Sequence, residues 1–168
     1  PVINGINVEP HSDLSGVDLT YADLSNLDLT GVNLTGANLS GSILENTNLT
    51  QANLTKVNLA GTNLDGAILT GANLNQIKSV SVNDTPFSGG TISGVPTLPE
   101  NYFLVQNYII GPNVDLSNAK LNSGMIGDFA DGGNLSSFDL SGVNFSNAIL
   151  DFTNFSNSNL SNANFEGA

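Results

Sequence analysis

The chain has 168 residues, of which 39% are hydrophobic and 11% charged, and its 15 acidic residues outnumber three cations to give a formal net charge of −12. It contains no cysteine and one histidine, His11, which excludes disulfides, thiolate metal sites and catalytic histidine pairs. So few cations argue against a nucleic-acid partner, and no apolar stretch is long enough for membrane insertion. We therefore predict a non-enzymatic protein with no cofactor and no small-molecule substrate.

The first segment, residues 1–11, predicts a partial hairpin or cap. Asn4 and Gly5 form the dipeptide that is most typical of a two-residue hairpin turn. Only Pro1, Val2 and Ile3 precede this turn. Most of the leading strand is therefore missing from the segment.

The second segment, residues 12–76, repeats with a period of five. Apolar residues at the first and third positions of each block alternate with Asp or Asn, which predicts a short strand. Ser or Thr followed by Gly or Asn predicts a corner. A lone block buries too little to fold, so stability must come from stacking. The central leucines predicted to form the core include Leu14, Leu19, Leu34, Leu39, Leu54, Leu59 and Leu74.

The five-residue unit also indicates how the chain closes. If each corner turns by about a right angle, four blocks make a square, and successive squares stack about 4.8 Å apart. This pattern resembles the pentapeptide-repeat family, whose motif is A(D/N)LXX. The resemblance implies an all-β protein that folds as a right-handed quadrilateral β-helix.

The third segment, residues 77–113, breaks the period and connects two solenoid runs. Tyr102 to Val105 and Tyr108 to Ile110 predict a β-hairpin with its turn at Gln106 and Asn107. Residues 2–16 align without gaps on residues 104–118, which indicates two copies of one unit. The hairpin is predicted either over the open end of a solenoid or at a junction between units, with Tyr102 and Tyr108 as candidate interaction residues.

The fourth segment, residues 114–168, is a second pentapeptide run. Its predicted core includes Leu116, Leu140, Phe145, Phe155 and Phe165, and the phase shifts by one residue within it. The stretch FADGGN absorbs the shift. It is either a loosened corner or a weak calcium site that uses Asp128 and Asp131.

The second position of each block points outward. It is Asp throughout the first coil and mostly Asn afterwards. Stacking explains this change, because like charges one coil apart repel whereas asparagines form hydrogen-bonded ladders. Ile43, Ile68 and Ile149 are apolar exceptions, either as isolated surface residues or as a side-to-side contact.

These features favour a structural or interaction solenoid with protein partners. It would be a module of a longer or self-assembling appendage that is secreted or lies on a cell surface or virion. The pattern stops in mid-repeat, which suggests a segment of a longer array, a frayed end, or ends that self-associate head to tail. As an alternative, the family resemblance implies a DNA mimic that binds and protects DNA gyrase.

Overall fold

Four pentapeptide blocks make one turn of the chain in the computed structural model, which describes residues 1–78, 96–105, 108–121 and 134–168. Second-position residues twenty apart form parallel bridges. This spacing confirms the predicted four-sided coil. We name its sides first to fourth by the pairs that open them, which are Asp13 with Asn33, Asp18 with Asn38, Asp23 with Ile43, and Asp28 with Asn48.

Backbone hydrogen bonds join each coil to the coils before and after it. The Asn33 N–H donates to the Ser12 carbonyl at 2.9 Å, and the Leu34 N–H donates to the Asn53 carbonyl at 2.8 Å. Each side contributes one bridged residue to the ladder, where the sequence predicted a three-residue strand. Among the described residues, longer strands occur in two hairpins, which are β1 (Val2–Ile3) with β2 (Ile6–Asn7) and β3 (Phe103–Val105) with β4 (Tyr108–Ile110).

The central residues of the blocks fill the interior. The fully buried ones include Leu19, Leu34, Leu39, Leu54, Leu59, Leu74, Leu116, Leu140 and Phe145, with Leu14 only 3% exposed. Two predicted core residues differ, since Phe155 is half-buried and Phe165 is 39% exposed. Residues of the last described coil pack against a neighbouring coil on one side only, which leaves part of their surface open.

Stacked corner residues constrain each other in a way that the five-residue period does not predict. The fifth residue of a block adopts a left-handed conformation, as at Tyr21 (φ 56°) and Gly41 (φ 66°). The Tyr21 ring lies over Gly41 one coil later, so closely that a β-carbon at Gly41 would overlap it. His11 covers Gly31 in the same way. An aromatic residue at these two corners therefore requires glycine at the same corner of the next coil.

The first hairpin has its predicted turn at Asn4 and Gly5, and the two hairpins share the same register, while the predicted turn at residues 106–107 lies outside the described residues. Ile3 pairs with Ile6 in the first, and Val105 pairs with Tyr108 in the second. The second hairpin does not close an open end of the stack. Tyr108, Ile109 and Ile110 are buried in the common core, and coils continue on both sides of them.

The two pentapeptide runs form one continuous stack. Lys78 bridges to Asp115, and the Asp115 N–H donates to the Ile77 carbonyl at 2.8 Å. The two hairpins nevertheless precede different sides, because Asp13 lies on the first side and Asp115 on the second. The sequence duplication is therefore offset by one corner in three dimensions.

Replacing Thr47 by valine is expected to destabilise the fold by about 1–2 kcal/mol. The buried Thr47 hydroxyl donates to the Leu24 carbonyl at 2.8 Å and is the only donor to that carbonyl among the described residues. Valine has nearly the same shape but leaves the carbonyl unpaired. Urea unfolding monitored by circular dichroism measures the change.

Thr62→Val is the matched control. The Thr62 hydroxyl donates to the Leu39 carbonyl at 3.0 Å, but that carbonyl also accepts from the N–H and hydroxyl of Ser42. We expect a loss of about 0.5 kcal/mol or less. Equal losses in the two variants would contradict the role assigned to Thr47.

Candidate interaction surface

The outward Asp and Asn side chains fold back onto the corner that follows them. Asn33 Oδ1 accepts from the Thr35 N–H at 3.2 Å and from the Thr35 hydroxyl at 2.7 Å. Asp18 Oδ1 accepts the same two donors from Thr20. These bonds satisfy corner N–H groups locally, as in an Asx turn. They explain why Asp or Asn stands two positions before Ser or Thr.

Some of the same side chains also form hydrogen-bonded pairs between coils, as the sequence predicted. Asn33 Nδ2 donates to Asp13 Oδ1 at 2.9 Å, and Asn58 Nδ2 donates to Asn38 Oδ1 at 3.0 Å. Asparagine both accepts and donates, whereas aspartate only accepts. Aspartate therefore suits the first coil, where Asp13 and Asp28 each accept from the asparagine one coil later.

The corner hydrogen bonds also act on the charges of the aspartates. Hydrogen bonds from the side chain, and then from the N–H, of the residue two positions on lower the pKa of these carboxyl groups below the ordinary value of 3.8. The carboxyl groups concerned are Asp13, Asp18, Asp23, Asp28 and Asp139.

We expect thermal stability to fall in acid because of these groups. A pKa lowered on folding means that the unfolded chain binds protons more readily, so the contribution is fully present above pH about 4 and is lost as pH falls through the folded pKa values. Melting temperatures measured from pH about 6 down to about 2 check the result.

A variant without the first-coil carboxylates is the control for the measurement of melting temperature against pH. Replacing all four first-coil aspartates by asparagine keeps the corner acceptors and removes their titration. This variant is expected to lose less of its melting temperature on acidification. Parallel curves for the variant and the natural chain would show that other groups control acid stability. The aspartates concerned are Asp13, Asp18, Asp23 and Asp28.

The predicted interaction residues do not form one surface. Ile43 and Ile149 are each 40% exposed, and Ile68 is 41% exposed, but they lie on different sides or distant coils. Tyr108 is buried, so it is not available to a partner. Tyr102 is half-buried, and its hydroxyl donates to the Pro112 carbonyl at 3.2 Å.

The candidate calcium ligands Asp128 and Asp131 lie outside the described residues. Within the described ranges, no group of three or more His, Asp or Glu side chains could hold a metal ion. The same ranges contain no helix of a length and apolarity that would cross a membrane.

Comparison with known families agrees with this architecture. The family model for pentapeptide repeats matches residues 12–51, 33–71 and 134–168 in eight copies, which is more than half of the chain. The chain belongs to the pentapeptide-repeat family. Its fold is accordingly the right-handed quadrilateral β-helix, and proteins of this family are in general structural or interaction modules.

Solved pentapeptide-repeat structures resemble parts of the chain. One from a Nostoc strain is 34% identical over 58% of this chain and 73% of that one, with a TM-score of 0.49. One from the thylakoid lumen of Arabidopsis thaliana is 21% identical over 93% and 66%, with a TM-score of 0.41. QnrB1, a plasmid-mediated fluoroquinolone resistance protein, is 16% identical over 95% and 80%, with a TM-score of 0.35. The chain therefore spans part of the length of each.

No curated protein sequence matches the chain.

Proposed function

We propose that the chain is a stiff, non-enzymatic solenoid that serves as a structural and interaction module. The observation that carries this proposal is the uninterrupted row of bridges along the second side. It runs through Asp18, Asn38, Asn58, Lys78, Asp115, Asn144 and Asn164. The row spans both pentapeptide runs, although the chain from Lys78 to Asp115 and the chain from Asp115 to Asn144 are each longer than one coil.

This row of bridges joins the coils of both runs into one stiff stack. Neighbouring coils share backbone hydrogen bonds on every bridged side, and their central side chains belong to one hydrophobic core. A solenoid of this kind resists bending because motion between two coils breaks several bonds at once. In the described ranges, its sides present amide rows rather than the convergent acid, base and nucleophile that catalysis requires.

We further propose that the module belongs to a longer or self-assembling appendage, secreted or at a cell or virion surface. Light scattering of the purified chain over a wide concentration range tests self-assembly, with negative-stain images of the concentrated sample. Mass that grows with concentration, together with rods or filaments, supports it. A monomer at every concentration contradicts self-assembly and leaves the single interaction module.

The DNA-mimic alternative is less well supported by the charges. Duplex DNA carries one negative charge per about 1.7 Å of axis. Along the second side, by contrast, Asp18 is followed by two asparagines and Lys78 before the next carboxylate, Asp115. A gyrase supercoiling assay with and without inhibitor distinguishes the two functions. Protection of gyrase by the natural chain would overturn the structural proposal in favour of the alternative.

A further inference from the structure

A concavity of about 430 Å³ opens on the second side, where the stack resumes after the β3–β4 hairpin. Lys56, Lys78 and Asp115 line it together with the side-chain amides of Gln76, Asn113 and Asn144. We call this group the lysine site. Its volume lies within the range of small-molecule pockets, which is about 300–1,000 Å³.

The shape of the lysine site follows from the corner row beside the second side. Successive coils place Lys56, Gln76, Asn113 and then Gly142 at this corner, all with left-handed backbone. Side-chain length therefore falls along the row until it reaches zero at Gly142. The Asn113 amide lies directly over Gly142, where any β-carbon would collide with it. The hollow lies where the long side chain of Lys56 gives way, along this row, to the missing side chain of Gly142.

The charge of the lysine site is opposite to that of the protein. The chain has three lysines against 15 acidic residues, and two of those three lysines line this one hollow. The two lysines outnumber the single carboxylate of the lining, Asp115, whose Oδ1 accepts from the Ser117 N–H and from Asn144 Nδ2, both at 3.0 Å.

Stacking alone accounts for part of this arrangement. Lys78 and Asp115 are bridged neighbours, and opposite charges at such positions stabilise a ladder. Stacking does not account for Lys56, which is exposed at the corner. Within the described part of the chain, the ammonium groups of both lysines and the side-chain amides of Gln76 and Asn113 have no hydrogen-bond or ion-pair partner. Unused donors thus converge on one hollow.

We propose that the lysine site binds a small acidic sugar. The two ammonium groups hold its carboxylate as point charges, and the amides, which donate and accept, bind neighbouring hydroxyl groups. The hollow is larger than one inorganic anion requires, so it accommodates the sugar ring as well. This inference goes beyond the proposed function and holds whether or not the solenoid self-assembles.

Titration of the isotopically labelled chain with glucuronate, followed by NMR, tests the proposal. We expect saturable shifts at the amides of Lys78, Asn113 and Gly142, with dissociation in the millimolar range. Replacing Lys56 and Lys78 together by glutamine is expected to weaken binding at least tenfold. Lys120→Gln is the matched control, since Lys120 does not line the hollow, and it is expected to bind as the natural chain does.

Two further ligands separate sugar recognition from simple charge attraction. Neutral glucose lacks the carboxylate and is expected not to saturate the site at about 10 mM, whereas sulfate alone is expected to bind more weakly than glucuronate. Glucose binding as strongly as glucuronate, sulfate binding as strongly as glucuronate, or equal loss in the Lys120 variant would each overturn the proposal. So would the absence of shifts at the lysine site in a chain that circular dichroism shows to be folded.

Discussion

Phe145→Ala is expected to destabilise the protein by about 3–5 kcal/mol. Phe145 is the largest fully buried side chain among the described residues. Its ring stacks on Phe165 at 5.1 Å between centroids and meets the edge of Phe155 at 5.7 Å. Alanine would remove both ring contacts and leave a cavity that the rigid coils on either side cannot close. Urea unfolding monitored by circular dichroism measures the loss.

Phe152→Ala makes the same chemical change at a surface corner. Phe152 is 75% exposed and has a left-handed backbone (φ 62°), which alanine would retain. We expect a change within about 0.5 kcal/mol. A loss at Phe152 as large as that at Phe145 would show that the aromatic rings act through something other than core packing.

Gly111→Ala is expected to cost about 2–3 kcal/mol through overpacking. Gly111 is buried, and a β-carbon there would lie 2.9 Å from the Asn101 carbonyl oxygen and would also overlap the Tyr102 ring. A backbone oxygen cannot rotate away, so the chain itself must shift. Since the second run resumes just after Gly111, this shift would disturb the junction between the runs. Thermal melting and urea unfolding both report the effect.

Gly36→Ala measures the cost of replacing a corner glycine at a site without overpacking. Gly36 has a left-handed backbone (φ 69°), but a β-carbon there would meet nothing within 4 Å. We expect a loss of about 1 kcal/mol from the backbone alone. If Gly36→Ala cost more than Gly111→Ala, the close approach of Asn101 and Tyr102 would not be the controlling contact.

Much of the fold could be predicted because its unit is local. Five residues are enough to define an apolar centre, an Asp or Asn that bonds to its own corner, and the corner itself. Asn4 and Gly5 likewise specified the first hairpin turn, whose pairing of Ile3 with Ile6 the structure reproduces. The need for glycine one coil after an aromatic corner residue was not predicted, because Tyr21 and Gly41 meet only after a full coil has closed.

The candidate surfaces were harder to predict because they depend on residues far apart in the chain. The sequence predicted Tyr108 as an interaction residue of its hairpin, but its strand packs into the common core. Lys56 and Asn113 are distant in sequence and share one hollow. No periodicity brings them together, since an irregular segment separates their coils.

The sequence by itself determined the pentapeptide unit, the buried leucines and the polar rows, since each depends on contacts within a block or on a fixed period. Tertiary structure alone decided that the two runs form one stack. The bridge from Lys78 to Asp115 joins coils across a segment longer than one turn. Their meeting depends on where the chain returns to the ladder, because hydrogen bonds and core packing act between neighbours in space whatever their separation in sequence.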